Sequence, residues 1–202
     1  MGDGRLRVVG IGGTLREGSS SLGALRRALE GAKESGAETE LLDLRELDLP
    51  MYEPGLALDE YGPEVREFVE AMRRADALIF NTGAYHGTLA GVTKNAIDFA
   101  QFLSRDDRPY LHGRVVGLIS TAGGEQAATN ANRTMVDTVH ALRGVVAPMT
   151  VTIPRAWQIT DDDGNFTDER YEARLDQLGG LVVDLAEQFA SPAERVPAKS
   201  AA

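Results

Sequence analysis

No cysteine occurs in the 202 residues, which removes disulfides, thiolate metal ligands and cysteine nucleophiles together. Histidine is scarce as well: His86, His112 and His140 lie too far apart for a local motif such as H-E-x-x-H, so no metal site is expected. Asp161-Asp162-Asp163 lacks the alternating ligand spacing and closing glutamate of a calcium loop and reads as a solvated turn. No apolar run approaches the roughly 18 residues that a membrane span needs. The first residues show no charged segment, apolar stretch and cleavage site, so a cytoplasmic location is expected. Basic clusters are missing too, and with a net charge of −10 neither nucleic acid nor an anionic membrane is expected as a partner.

What is present suits one globular domain, expected over residues 3–190, with 191–202 as a flexible C-terminal tail of small, polar and proline residues. Leu6, Val8, Val9 and Ile11 predict a buried strand over 5–12, and Leu22, Leu25, Ala28 and Leu29 a helix over 20–35. Further strands are expected at 39–44, 77–82, 115–120 and 145–153. Further helices are expected at about 63–74, where Pro63 suits the first turn, and at 91–103, 128–143 and 168–190. Pro148 marks the last strand as an edge or a bulge. Five alternations of strand and helix imply an open parallel sheet covered on both faces.

Three of those strands run into loops rich in glycine: 10–21, 83–87 and 121–124. In open α/β sheets ligands sit at the carboxyl ends of the strands, so the three loops are expected to meet around one ligand. The first, Gly10-Ile11-Gly12-Gly13-Thr14-Leu15-Arg16-Glu17-Gly18-Ser19-Ser20-Ser21, leads into a helix N-terminus, whose unpaired N–H groups and partial positive charge favour an anion. A dinucleotide fingerprint begun at Gly10 and Gly12 needs a glycine where Leu15 stands. A triphosphate loop begun at Gly13 needs a lysine where Ser19 stands. What remains, several hydroxyls and Arg16, suits a single phosphomonoester; the bland alternative is a serine-rich helix cap.

The second loop and its helix, Gly83-Ala84-Tyr85-His86-Gly87-Thr88-Leu89-Ala90-Gly91-Val92-Thr93-Lys94-Asn95-Ala96-Ile97-Asp98-Phe99, resemble the NADPH-dependent FMN reductase family, whose pattern runs close to P-E-Y-N-G-S-x-P-G-x-x-K-N-A-I-D-W. Gly13 through Ser21 resembles that family's G-S-L-R-x-x-S-x-N, and Thr121-Ala122-Gly123-Gly124 falls at its small turn over the flavin ring. The likeness runs through roughly residues 5–190. It looks closest to the flavin reductases that serve two-component monooxygenases. Gly83 and Ala84 stand in place of Pro-Glu, His86 in place of Asn, and Ser21 in place of Asn.

The resemblance implies a flavodoxin-like, three-layer, doubly wound α/β sandwich with a five-stranded parallel sheet in the order 2-1-3-4-5. It implies FMN and NADPH or NADH as cofactors, and hydride transfer without a catalytic side chain. The FMN phosphate would be held by Thr14, Arg16, Ser19 and Ser21, with Ser20 in the same cradle. Gly83, Ala84, Tyr85, His86 and Gly87 would lie along the ring, and Thr121, Ala122, Gly123 and Gly124 would complete its pocket. Reduced FMN would pass to a flavin-dependent monooxygenase. The alternatives are a quinone, azo or metal-oxyanion reductase that retains FMN, and a flavodoxin-like electron carrier. A homodimer or homotetramer is expected, with Ile97, Phe99 and Phe102 read either as interface or as core. Trp157 is read as a loop anchor or as a cover for a neighbouring subunit's site.

Overall fold

The computed structural model describes residues 5–161 and 164–190. The expected tail at 191–202 lies outside the described residues. Six strands and six helices alternate as β1 (Arg7–Gly12), α1 (Ser20–Glu34), β2 (Glu38–Asp43), α2 (Leu44–Leu47), α3 (Pro63–Arg74), β3 (Ala77–Tyr85), β4 (Thr88–Leu89), α4 (Gly91–Asp98), β5 (Val115–Ala122), α5 (Glu125–Ala141), β6 (Val145–Pro154) and α6 (Glu169–Ala190). The main sheet is parallel in the order β2-β1-β3-β5-β6, and β4 pairs antiparallel with β3 off that path. The five-strand expectation is therefore one short strand too few. Five parallel strands do make the sheet, but β3 runs three residues past Thr82, and a two-residue turn folds Thr88-Leu89 back onto it.

Each face of the sheet carries its own core. Val8, Ala77, Ile79, Val115 and Ile119 pack under α1 and α6, while Val9, Ile11, Leu78, Phe80, Val116 and Leu118 pack under α3, α4 and α5. This is the strict alternation of side chains along buried parallel strands. On the second face Phe99 is wholly buried, with Tyr52, Tyr61, Phe68 and Phe102 around it at centroid distances of 5.3–6.3 Å. Of the two readings offered for Ile97, Phe99 and Phe102, core is found for Ile97 and Phe99, with Tyr52 and Tyr61 of the 47–61 loop packed on Phe99, while Phe102 is half-buried against the same core. Asn95 fastens that loop: its amide accepts from the Tyr52 N–H at 2.8 Å and donates to the Pro50 carbonyl at 2.8 Å.

Both meanings of Pro148 hold in β6. It is an edge strand, and its register against β5 jumps from Val116↔Val146 to Leu118↔Thr150, so Pro148 sits in the unpaired bulge where no ladder N–H is needed. Arg114 is fully buried before β5, and its guanidinium donates to the carbonyls of Ala75, Tyr110 and Arg73 at 2.8–2.9 Å. It thereby satisfies carbonyls at the end of α3 that the helix itself leaves unpaired. Burial holds its pKa down to about 10.

Helices α1 and α6 meet backbone to backbone. A β-carbon on Gly31 would stand 2.5 Å from the Asp176 carbonyl oxygen, and one on Gly179 would stand 2.1 Å from that of Ala28. The pair is pinned further by an ion pair between Arg27 and Asp176, whose hydrogen bond raises the arginine's pKa. Gly179→Ala is expected to cost about 1–3 kcal/mol, as overpacking of a tight contact does, read as a lowered midpoint in urea or thermal unfolding; an unchanged midpoint would mean that the helices separate freely.

Candidate functional site

The parallel register brings the carboxyl ends of β1, β3 and β5 to one edge of the sheet. There a cleft of about 290 Å³ is walled by Thr14, Arg16, Gly18, Ser19 and Ser20, by Gly83, Ala84 and Tyr85, and by Thr121, Ala122 and Gly123. The three strand-end loops thus share one cleft. Two roomier cavities lie elsewhere: one of about 450 Å³ past the β6 edge, and one of about 600 Å³ between β2 and α3. Neither takes in the strand-end loops, so the smaller cleft is the candidate site.

Gly13 and Gly18, at φ of +95° and +59°, let the first loop turn twice within six residues. Between them the Thr14 hydroxyl donates to Ser19 Oγ at 2.9 Å. Ser19 occupies the N-cap position of α1, yet its side chain makes no capping hydrogen bond. The simple serine-cap reading is therefore not what the loop does. The first-turn N–H groups of α1 are left by the cap side chain to face the cleft, the arrangement that suits an anion. Glu17 is drawn off toward Arg45, whose guanidinium it pairs with, leaving Arg16 as the charged side chain that the first loop gives the cleft, with Asp161 the other charged wall residue.

The second loop is a hairpin. Tyr85 pairs with Thr88, and His86 and Gly87 between them have φ of +51° and +83°, the two positive values of a type I′ turn. That turn carries His86 and Gly87 to the hairpin tip, and neither is among the wall residues of the cleft. Gly83 must stay small: a β-carbon there would stand 3.2 Å from Thr14 Cγ2, narrowing the cleft between the first and second loops. Thr82, one residue back, is buried on the other face, where its hydroxyl contacts Thr93 and receives the Ala90 N–H, fixing the start of α4.

Ser21 lies beneath the cradle, its hydroxyl 2.5 Å from that of Thr121, so that α1 and the end of β5 are joined under the cleft floor. Gly124 also lies outside the wall, at the N-cap of α5. One pleat below Gly83 on the same face of β3, the Asn81 amide is wholly buried with both polar atoms unpartnered, and Gly12 is pressed against its backbone.

A fourth segment, the one that carries Trp157, also lines the cleft. Ala156, Trp157, Thr160 and Asp161 line it, with the Trp157 ring 3.5 Å from where a Gly123 β-carbon would sit. Trp157 lines its own chain's cleft and is 61% exposed. Its signal in the sequence was its being the single tryptophan, beside a proline-ended strand. The segment is held in place where Gly164 meets the start of α1: a β-carbon on Gly23 would lie 1.9 Å from the Gly164 carbonyl oxygen. Tyr85 and Trp157, both more than half exposed, give the cleft two aromatic wall residues.

Among the described residues no helix is long and apolar enough to cross a membrane, and no group of three or more His, Asp or Glu could hold a metal ion.

Comparison with known proteins agrees with this geometry. The model of the NADPH-dependent FMN reductase family matches residues 6–158. An NAD(P)H-dependent FMN reductase of Pseudomonas aeruginosa is 31% identical over 175 residues, covering 85% of this chain and 90% of that protein. An FMN-dependent NADPH-azoreductase of Staphylococcus aureus is 30% identical over 176 residues, covering 81% and 89%. Among solved structures, a flavodoxin from the domain Archaea aligns over 91% of this chain and 99% of its own with a TM-score of 0.56; at 11% identity it speaks for the fold alone.

Gly23→Ala is expected to push Gly164, and with it Ala156 to Asp161, off the cradle, because the clash is with backbone that cannot rotate away. The emission of the sole tryptophan should shift to the red as Trp157 leaves Gly123. An emission spectrum like that of the parent would show that the segment is not held by this contact.

Proposed function

The chain belongs to the NADPH-dependent FMN reductase family, and from that premise we propose that it reduces FMN at the expense of NAD(P)H and passes reduced FMN to a flavin-dependent monooxygenase. The observation that carries the reading is the uncapped start of α1 opening onto a cleft shared by three strand-end loops.

The residues fit the cofactor. A phosphomonoester at the head of α1 meets helix N–H groups, the hydroxyls of Thr14, Ser19 and Ser20, and the Arg16 guanidinium, donors that match its oxygens and charge. Ser21 supports the cradle from below through Thr121. Beyond the phosphate, Gly83, Ala84 and Tyr85 on one side and Thr121, Ala122 and Gly123 on the other would flank a flat ligand, and the lack of a side chain at Gly83 leaves room beside Thr14. Bound FMN would supply two-electron chemistry, accepting hydride from a nicotinamide and giving up the pair to an acceptor. The protein's part is orientation: it fixes the phosphate, presents backbone donors to the polar edge of the ring, and leaves the face under Tyr85 and Trp157 accessible. No side chain is assigned as a catalytic acid or base.

Release is favoured by the same features. The cleft is small, and the departures at Gly83 and Ala84 put residues with no or minimal side chains where the family pattern has Pro-Glu. A second reading, a reductase that keeps FMN and passes electrons to a planar quinone or azo compound, draws on one observation: the exposed Tyr85 and Trp157 on the cleft wall suit a flat apolar acceptor.

An anaerobic mixture of protein, FMN and each nicotinamide, followed by flavin bleaching before and after an acceptor is added, tests the proposal. Bleaching by NADPH or NADH with FMN lost on gel filtration is the expected result. Ping-pong quinone turnover with FMN retained would support the second reading, and no bleaching by either nicotinamide would leave only an electron carrier. Arg16→Ala should weaken FMN binding by about 1.5–3 kcal/mol, the worth of a charge-assisted hydrogen bond. Quenching of Trp157 fluorescence measures it, and an unchanged titration would remove Arg16 from the cradle.

A further inference from the structure

The cavity of about 450 Å³ past the β6 edge is not explained by the flavin cleft. Its walls are Glu125, Thr129, Thr152, Pro154, Arg170, Tyr171 and Arg174, drawn from α5, β6 and the first turns of α6. It adjoins the cleft: Pro154 is the register partner of Ala122, so one residue of the pair faces each space, and Glu125 follows the Thr121–Gly124 turn directly.

The chemistry of the walls is mixed in a particular way. Arg170 and Arg174, four residues apart, share one face of α6. Arg170 is held by Asp168, through Nε at 3.0 Å and Nη2 at 2.7 Å, whereas Arg174 has no ion pair among the described residues. The half-buried ring of Tyr171 shares the wall with them, with Phe166 beside it at a centroid distance of 6.4 Å. The opposite wall offers the Glu125 carboxylate and the hydroxyls of Thr129 and Thr152. Guanidinium groups recognise phosphate, an aromatic face stacks on a purine, and a carboxylate accepts from an exocyclic amine or a ribose hydroxyl. The volume is within the range of small-molecule sites.

We propose that this cavity receives the phosphorylated adenosine end of the nicotinamide nucleotide, with Arg174 and Arg170 gripping its 2′-phosphate, and that it makes the protein prefer NADPH to NADH. The proposal rests on the nicotinamide-dependent reading above and adds the residues that choose between the two nucleotides. Its position beside Ala122 lets one extended dinucleotide place its nicotinamide at the flavin cleft and its adenosine past the sheet edge. Neither arginine touches the flavin cleft, so the effect on FMN and the effect on nucleotide choice are separable.

The test uses adenosine 2′,5′-bisphosphate and ADP as probes, titrated calorimetrically into the full chain without flavin. The parent is expected to bind the 2′-phosphorylated probe about tenfold or more tightly than ADP, the worth of one charge-assisted hydrogen bond. Arg174→Ala should abolish that ratio, Arg174→Lys should restore part of it, and the ratio of KM for NADPH to KM for NADH should rise in parallel. Equal binding of the two probes by the parent would overturn the proposal, as would a ratio untouched by Arg174→Ala. Equal weakening of both probes in that variant would place the arginine on the shared 5′-phosphates and also overturn it. Because the probe titration involves no flavin and no turnover, it stays informative even if neither nicotinamide bleaches FMN. Arg174 is exposed, and an unchanged FMN titration in the variants confirms an intact fold.

Discussion

Helix α1 is positioned by close backbone contacts as well as by its buried apolar stripe, and the candidate site lies at its N-terminus. Gly31 and Gly179 let α1 and α6 approach until carbonyl oxygens fill the space a methyl group would need, and Gly23 repeats the arrangement against Gly164 nearer the cleft. Contacts of this kind have no rotamers to relax through, so the helix has little freedom to slide. Its N-terminus is consequently delivered to a defined point at the end of β1, where the cap side chain leaves the first-turn N–H groups open. An anion site built from helix N–H groups works only if the helix does not move, because its donors belong to the helix itself.

The same contacts join the two halves of the cleft. Gly164 against the head of α1 holds the segment that carries Trp157, and Ser21 against Thr121 ties α1 to the end of β5. Binding surface and scaffold are therefore not separate layers. On the opposite face of the sheet the corresponding work is done by buried polar groups: Thr82 on Ala90 and Thr93, Asn95 on the 50–52 loop, and Arg114 on three carbonyls near the end of α3. Each satisfies backbone that the neighbouring helix or loop leaves open, which makes these few residues more specific to the fold than the apolar positions around them.

The family to which the chain belongs accounts for the cleft but not for every feature around it. The hairpin tip at His86-Gly87, with its type I′ turn, replaces the family's asparagine with a residue that must also adopt positive φ. The turn thus keeps the shape of the loop while changing what it can donate. Tyr85 and Trp157 on the cleft wall are exposed aromatic rings on a protein whose net charge is −10.

Local pattern by itself determined the alternation of strands and helices, the start of α3 at Pro63, the special status of Pro148 and the convergence of three loops at the strand ends. Period and punctuation act over a few residues, and parallel topology then leaves little choice. The phosphomonoester reading also came from local arithmetic, from a leucine at 15 and a serine at 19. Tertiary structure decided the rest. Only contacts between residues far apart in the chain could send Ser21 beneath the cradle to Thr121, fold the 47–61 loop over Phe99 to make it core, and swing Trp157 onto Gly123. The extra strand β4 arose for a related reason: whether a chain turns back after Tyr85 depends on two positive φ angles at His86 and Gly87, which the glycine suggests and the histidine conceals.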